Sequence, residues 1–193
     1  MGDFDKEDSY KNLERVNFWI ANCDSKASFA LALVGIFLSV FLTSDLTKGC
    51  LIRLFKEILK CNGINIKSIF IIIIILTMGA TFFFLIRCIF NLLNTLTAKK
   101  NQNIYLRQSI TANSFLFFDS ISNRVFDGYI NGLNNLSESE IINDINSQTY
   151  INSKICSAKF SSYNKAIENV KLAFILFIVT SFLLFIFDIF LKC

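Results

Sequence analysis

Three stretches of the chain are unbroken by charge. Residues 27–43 read ASFALALVGIFLSVFLT and residues 68–86 read SIFIIIIILTMGATFFFLI. Residues 172–187 read LAFILFIVTSFLLFIF, and that run extends past Asp188 to Leu191, bracketed by Lys171 and Lys192. A helix needs ~17–25 apolar residues to cross the hydrocarbon of a bilayer, and each stretch reaches that length. The second also extends past Arg87 to Phe90 if that side chain snorkels. A soluble protein of this size lacks the partners to cover three such helices on all sides. The pattern predicts an all-α membrane protein with three transmembrane helices, over 27–43, 68–90 and 172–191.

Between and before these spans the period is amphipathic. Leu13, Val16 and Ile20 share one face of a helix predicted from about Ser9 to Asp24, so residues 1–26 form an N-terminal amphipathic helix feeding the first span. In the loop over 44–67, Leu51, Leu54, Phe55, Ile58 and Leu59 oppose Arg53, Lys56, Glu57 and Lys60, the signature of a short helix lying in the headgroup plane. Cys50 and Cys61 flank it, but eleven helical residues separate them by roughly 16 Å at ~1.5 Å per residue, too far for a disulfide.

Residues 91–171 are polar enough to leave the membrane, and they form a helical segment between the second and third spans, too long to be a plain connection. Residues 95–103 (TLTAKKNQN) read as a linker or a frayed helix end. Phe118, Ile121, Val125, Tyr129, Leu133 and Leu136 then recur at spacings of three and four, which predicts one amphipathic helix, its apolar face widened by Phe115, Leu116 and Phe117 for packing. Ser137 and Glu140 form a capping box. No Pro or Gly interrupts the chain after Ser139, so that helix is predicted to run as one rod into the third span.

Composition agrees: 53% of residues are hydrophobic, only 18% are charged, and mean hydropathy is +0.52. Zero Pro and seven Gly argue against an all-β fold. With no His, the commonest general base and metal ligand is missing, and no nucleophile lies beside a base, so the chain is read as a non-enzyme with no metal site and no cofactor. Six scattered cysteines specify neither a zinc site nor a redox pair and read as packing residues. A net charge of +4 is too small for a nucleic-acid binder. Residues 1–26 do not resemble a signal peptide, so the first span is expected to stay as an anchor. Thirteen Lys and Arg flank the spans on the side of the N-terminus and central segment against six on the other, which predicts a cytoplasmic N-terminus.

Asn17-Phe18-Trp19-Ile20 followed by Asp24-Ser25-Lys26-Ala27-Ser28 resembles the "D-x-K-A-S" approach to the first span in the transmembrane effectors of Pycsar antiphage defence. Phe115-Leu116-Phe117-Phe118-Asp119-Ser120-Ile121-Ser122 is similar to that family's aromatic "FF-x-x-I" helix, and Gln148 to Lys159, with Asn152 and Ser153, leads toward the last span as in those effectors. The resemblance covers most of the chain. It implies an effector of the bacterial inner membrane, activated by a cyclic pyrimidine nucleotide (cCMP or cUMP) from a partner nucleotide cyclase. It further implies that the effector disrupts the membrane, bringing about abortive infection.

A cyclic nucleotide offers a phosphate charge and a flat base, so its site wants cations and an aromatic face. Lys154, Lys159, Tyr150 and Tyr163 lie in one helical stretch and are candidate ligand-binding residues, beside the plainer reading of solvated lysines. Asp24 and Lys26 read as interfacial anchors or as a charged gate in which Asp24 pairs with a cation of the central segment in the quiet state. The spans carry no polar stripe to line a pore within one chain, so permeability requires a homo-oligomer in the lipid bilayer. The alternative is a nucleotide-independent scaffold or adaptor whose central helices dock a protein partner.

Overall fold

The computed structural model describes residues 5–43, 45–60, 66–97, 110–111 and 113–192. Among them all regular structure is helical: α1 (Lys6–Thr43), α2 (Asp45–Lys60), α3 (Ile66–Leu96), α4 (Phe118–Ser122), α5 (Phe126–Asn134) and α6 (Glu138–Lys192). Three helices are long and apolar enough to cross a membrane, over Lys6–Thr43, Lys67–Leu96 and Glu138–Ile189. Residues 98–103 of the expected linker, and Cys61, lie outside the described residues.

The chain divides into two compact units. The first comprises Met1–Lys26 and Thr95–Ser161, and the second Ala27–Asn94 and Ser162–Cys193. Helices α1 and α6 each contribute residues to both.

In the second unit, Leu54 of α2 is buried with Ile71 and Ile74 of α3 and Phe187 of α6, and Phe70, Leu183 and Leu184 pack against them. Leu54 therefore ties α2 to the two long helices, while Phe55 and Ile58 of the same apolar set stay exposed. Around this core Arg53 pairs with Asp188, and Lys67 pairs with Glu57 at 2.6 Å. Phe37, Phe41, Phe82 and Phe177 form an edge-to-face cluster with centroids 5.0 to 5.7 Å apart between rings of different helices. Outward-facing Ile69, Ile72, Ile73, Leu76, Phe83, Phe174 and Phe182 are exposed, as suits helices whose solvent is lipid. Hydroxyls in these stretches bond back to the carbonyl one turn earlier: Ser39 to Gly35, Thr81 to Thr77, Thr180 to Leu176 and Ser181 to Phe177. Each is thereby satisfied without water.

The first unit departs from the expected single helix over Phe118–Leu136. Asn123 turns its Nδ2 onto the Asp119 carbonyl and ends α4, while Val125 takes an extended backbone before α5. The reason is Phe115. Its ring lies 3.6 Å from the Arg124 guanidinium carbon and is stacked on Tyr129 at 6.1 Å. Arg124 also donates to the Asn113 carbonyl at 2.6 Å. Gly132 leaves room for that ring, since a Cβ there would come within 2.6 Å of it. The spacing of three and four is thus shared by two short helices folded back around one aromatic side chain.

The start of α6 is a complete capping box. Ser137 Oγ accepts from the Glu140 N–H at 3.3 Å, and Glu140 Oε2 accepts from the Ser137 N–H at 2.8 Å and from its hydroxyl at 2.6 Å. The Ser137 hydroxyl, then its backbone N–H, hold the Glu140 carboxyl below the usual glutamate range. A carboxyl whose pKa is lowered by folding supports the folded helix above its unfolded pKa, and that support is lost as pH falls through the folded value. NMR titration of the Ser137 amide should give a midpoint below that of an ordinary glutamate, returning to ordinary in Ser137→Ala. An ordinary midpoint in the wild type would contradict the box.

Candidate functional site

Helices α1 and α6 run parallel in the first unit at a fixed register. Asn152 Nδ2 donates to Asn17 Oδ1 at 2.8 Å, and Lys159 Nζ donates to Asp24 Oδ1 at 2.7 Å, both pairs 135 positions apart. Each helix advances by seven residues between the two contacts, the step of a helix pair wound like a coiled coil. Trp19 packs edge-on against Phe160 at 6.3 Å between centroids, closing the apolar side of the same seam.

Lys159 is the centre of this seam. Its side chain is only 5% exposed, and its ammonium also donates to the Thr95 carbonyl at 2.7 Å, near the end of α3. One buried cation therefore joins three helices. Burying a charge is tolerated only when partners replace its water, and here a carboxylate and a carbonyl do so. Asp24 is 37% exposed, so the carboxylate keeps some contact with solvent while the ammonium does not.

Two cysteines flank the pair. Burial, then the Asp24 charge, raises the pKa of the Cys23 thiol, and the same causes raise that of Cys156. Both stay as unreactive packing thiols.

The other sequence candidates are placed differently. Lys154 is exposed, with its ammonium 5.4 Å from the centroid of the Tyr150 ring. Lys159 is instead buried against Asp24 and Thr95. Tyr163 belongs to the second unit, and Lys26 is exposed. Sequence reasoning missed the Thr95 carbonyl, since a backbone acceptor leaves no residue signature. It also missed Asp144, which is buried and accepts the Phe115 N–H on Oδ2 at 2.7 Å. The Asn17–Asn152 pair was readable only as a matching register.

The pair is energetically asymmetric. Asp24→Ala leaves a buried ammonium with a carbonyl alone, and breaking a buried pair this way costs about 3–5 kcal/mol, with the partial exposure of Asp24 placing it at the lower end. Lys159→Met leaves a carboxylate that water reaches and fills the space with apolar atoms. Thermal unfolding in nanodiscs should show a clearly larger loss for Asp24→Ala than for Lys159→Met. Equal losses would contradict the asymmetry.

Comparison with known proteins bears on the whole chain. The family model described as "Pycsar effector protein domain" matches residues 8–187. The "Pycsar effector protein GmPycTM" of Gulbenkiania mobilis is 34% identical over 183 residues, covering 90% of each chain. No solved structure matches. With the match running through both units, the chain belongs to the Pycsar effector protein family.

Proposed function

We propose that this chain is an antiphage effector of the bacterial inner membrane that is held quiet by the Asp24–Lys159 pair and released by a cyclic pyrimidine nucleotide, cCMP or cUMP. A partner nucleotide cyclase supplies the signal. Once released, homo-oligomers of the three long helices disrupt the membrane and bring about abortive infection. The N-terminus and the first unit face the cytoplasm, where the signal is made. Family membership supports the defence role and the membrane setting.

The observation that carries the mechanism is the buried ammonium shared by Asp24 and Thr95. Such a group has two stable conditions, paired inside or hydrated outside, and little between them. A ligand that parts α1 from α6 removes the carboxylate, and Lys159 must then follow it into water. The seam opens as a step rather than by degrees.

Membrane potential in cells tests this directly. Cells carrying the wild-type chain should depolarise when a pyrimidine cyclase is co-expressed and stay polarised without one. Asp24→Ala should be toxic without any cyclase, whereas Lys159→Met, with no buried charge to expel, should stay silent and respond weakly. Unchanged growth with Asp24→Ala at normal protein levels would discard the gate. A wild-type chain that neither binds a cyclic nucleotide nor depolarises cells would return the function to a scaffold docking a protein partner.

A further inference from the structure

Two bands of charge frame the second unit. At one end α2 brings Arg53 to Asp188 of α6 and Glu57 to Lys67 of α3. At the other, Arg87 of α3 and Lys171 of α6 are exposed. Asn94 meets Ser162, and Phe70 stacks on Phe187, which sets α3 antiparallel to α6 at a register that places Arg87 level with Lys171. Twenty residues separate Lys67 from Arg87 and seventeen separate Lys171 from Asp188, roughly 30 and 26 Å at ~1.5 Å per residue. The hydrocarbon of a bilayer is ~30 Å thick, so the two bands mark the levels of its headgroups.

Just inside the Arg87–Lys171 band, α1, α3 and α6 leave a gap of about 310 Å³ between them. Val34 and Phe37 of α1, Leu85 of α3, and Val170 and Ala173 of α6 line it, and Leu33 and Phe174 complete a wall made of apolar side chains alone. Leu33 is 50% and Phe174 57% exposed, so the gap opens to lipid between α1 and α6. Packed interiors hold few voids larger than a water molecule, and an apolar gap stays dry. Its walls therefore forfeit dispersion contacts unless hydrocarbon fills it. Lys171 stands three residues before Phe174, on the neighbouring turn at the edge of the gap. A helical side chain leans toward the helix N-terminus, which for Lys171 is the headgroup side.

We infer that this gap is a phospholipid site, in which one acyl chain lies between α1 and α6 while the phosphate of an anionic headgroup meets the Lys171 ammonium. The site rests on the long helices crossing a bilayer and needs no nucleotide. Glu168, one turn back on α6, is offset by Lys165, which leaves the exposed edge net positive. A second copy of the chain inserted in the same sense would bring its own Arg87 and Lys171 to this level. Charge therefore favours an anionic lipid over another protomer. Shape selects the chain and charge selects the headgroup, so substitutions of two kinds separate them.

Native mass spectrometry of the full chain, released from nanodiscs holding equal phosphatidylglycerol and phosphatidylcholine, tests the site. The wild type should retain one phosphatidylglycerol about fivefold more often than phosphatidylcholine, the scale of one interfacial lysine acting on an anionic lipid. Lys171→Gln should still retain a lipid but lose that preference. Ala173→Phe, which fills the gap, should retain neither. Leu33→Trp closes the mouth from a half-exposed position that leaves the packing intact, and it should give the same loss with unchanged helicity and thermal midpoint. A wild type that retains both lipids equally, or neither, overturns the site, as does a Leu33→Trp chain that retains phosphatidylglycerol like the wild type. Photo-cross-linking from position 33 that captures a second copy of the chain in place of lipid also overturns it.

Discussion

An ammonium group taken out of water has to be met by charge and by lone pairs, and the place where Lys159 finds them fixes much else in the first unit. Asp24 fixes the register of α1 against α6, and the Thr95 carbonyl ties the end of α3 to the same point. Seven residues toward the start of each helix, Asn17 and Asn152 repeat the register with a neutral pair. Ile145 and Ile151 are buried along the same stretch of α6, as is Cys23 on α1. Apolar packing supplies the bulk of the contact, and the charge supplies its specificity, since a slip by one residue would strand the ammonium.

The same seam becomes more polar toward its starting end. Asp144 holds the loop before α4 through the Phe115 N–H, and Ser147 accepts from the Thr111 N–H at 3.2 Å. The loop, α4 and α5 are organised around Phe115, clasped by Arg124 and Tyr129. Ser9 Oγ, Asp144 Oδ1 and Gln148 Nε2 are buried at this end without a hydrogen-bond partner.

Much of this was legible in the chain itself. Long uncharged runs give helices long and apolar enough to cross a membrane, and the Ser137–Glu140 spacing gives the start of α6, because both depend on local rules. Of the apolar positions on α2, Leu54 is buried against α3 and α6 while Phe55 and Ile58 stay exposed. Phe118 to Leu136 misled because a spacing of three and four does not distinguish one helix from two folded around a common side chain, and only Asn123 and Arg124 carry the break. Lys159 read as a candidate ligand cation or as a solvated lysine, since nothing local marks a lysine as buried. The matching seven-residue steps from Asn17 to Asp24 and from Asn152 to Lys159 held that information, but only as a pairing between distant segments.

In the proposed gate, Lys159 closes the α1–α6 seam in the quiet state and the seam parts on signal. Pulsed electron–electron distance measurements between spin labels at exposed Lys11 and Asn146, with native cysteines replaced and nucleotide response retained, read that seam directly. One short distance without nucleotide and a longer population with cCMP or cUMP is the result expected. A distance unchanged by nucleotide in nanodiscs that nonetheless become permeable would contradict it.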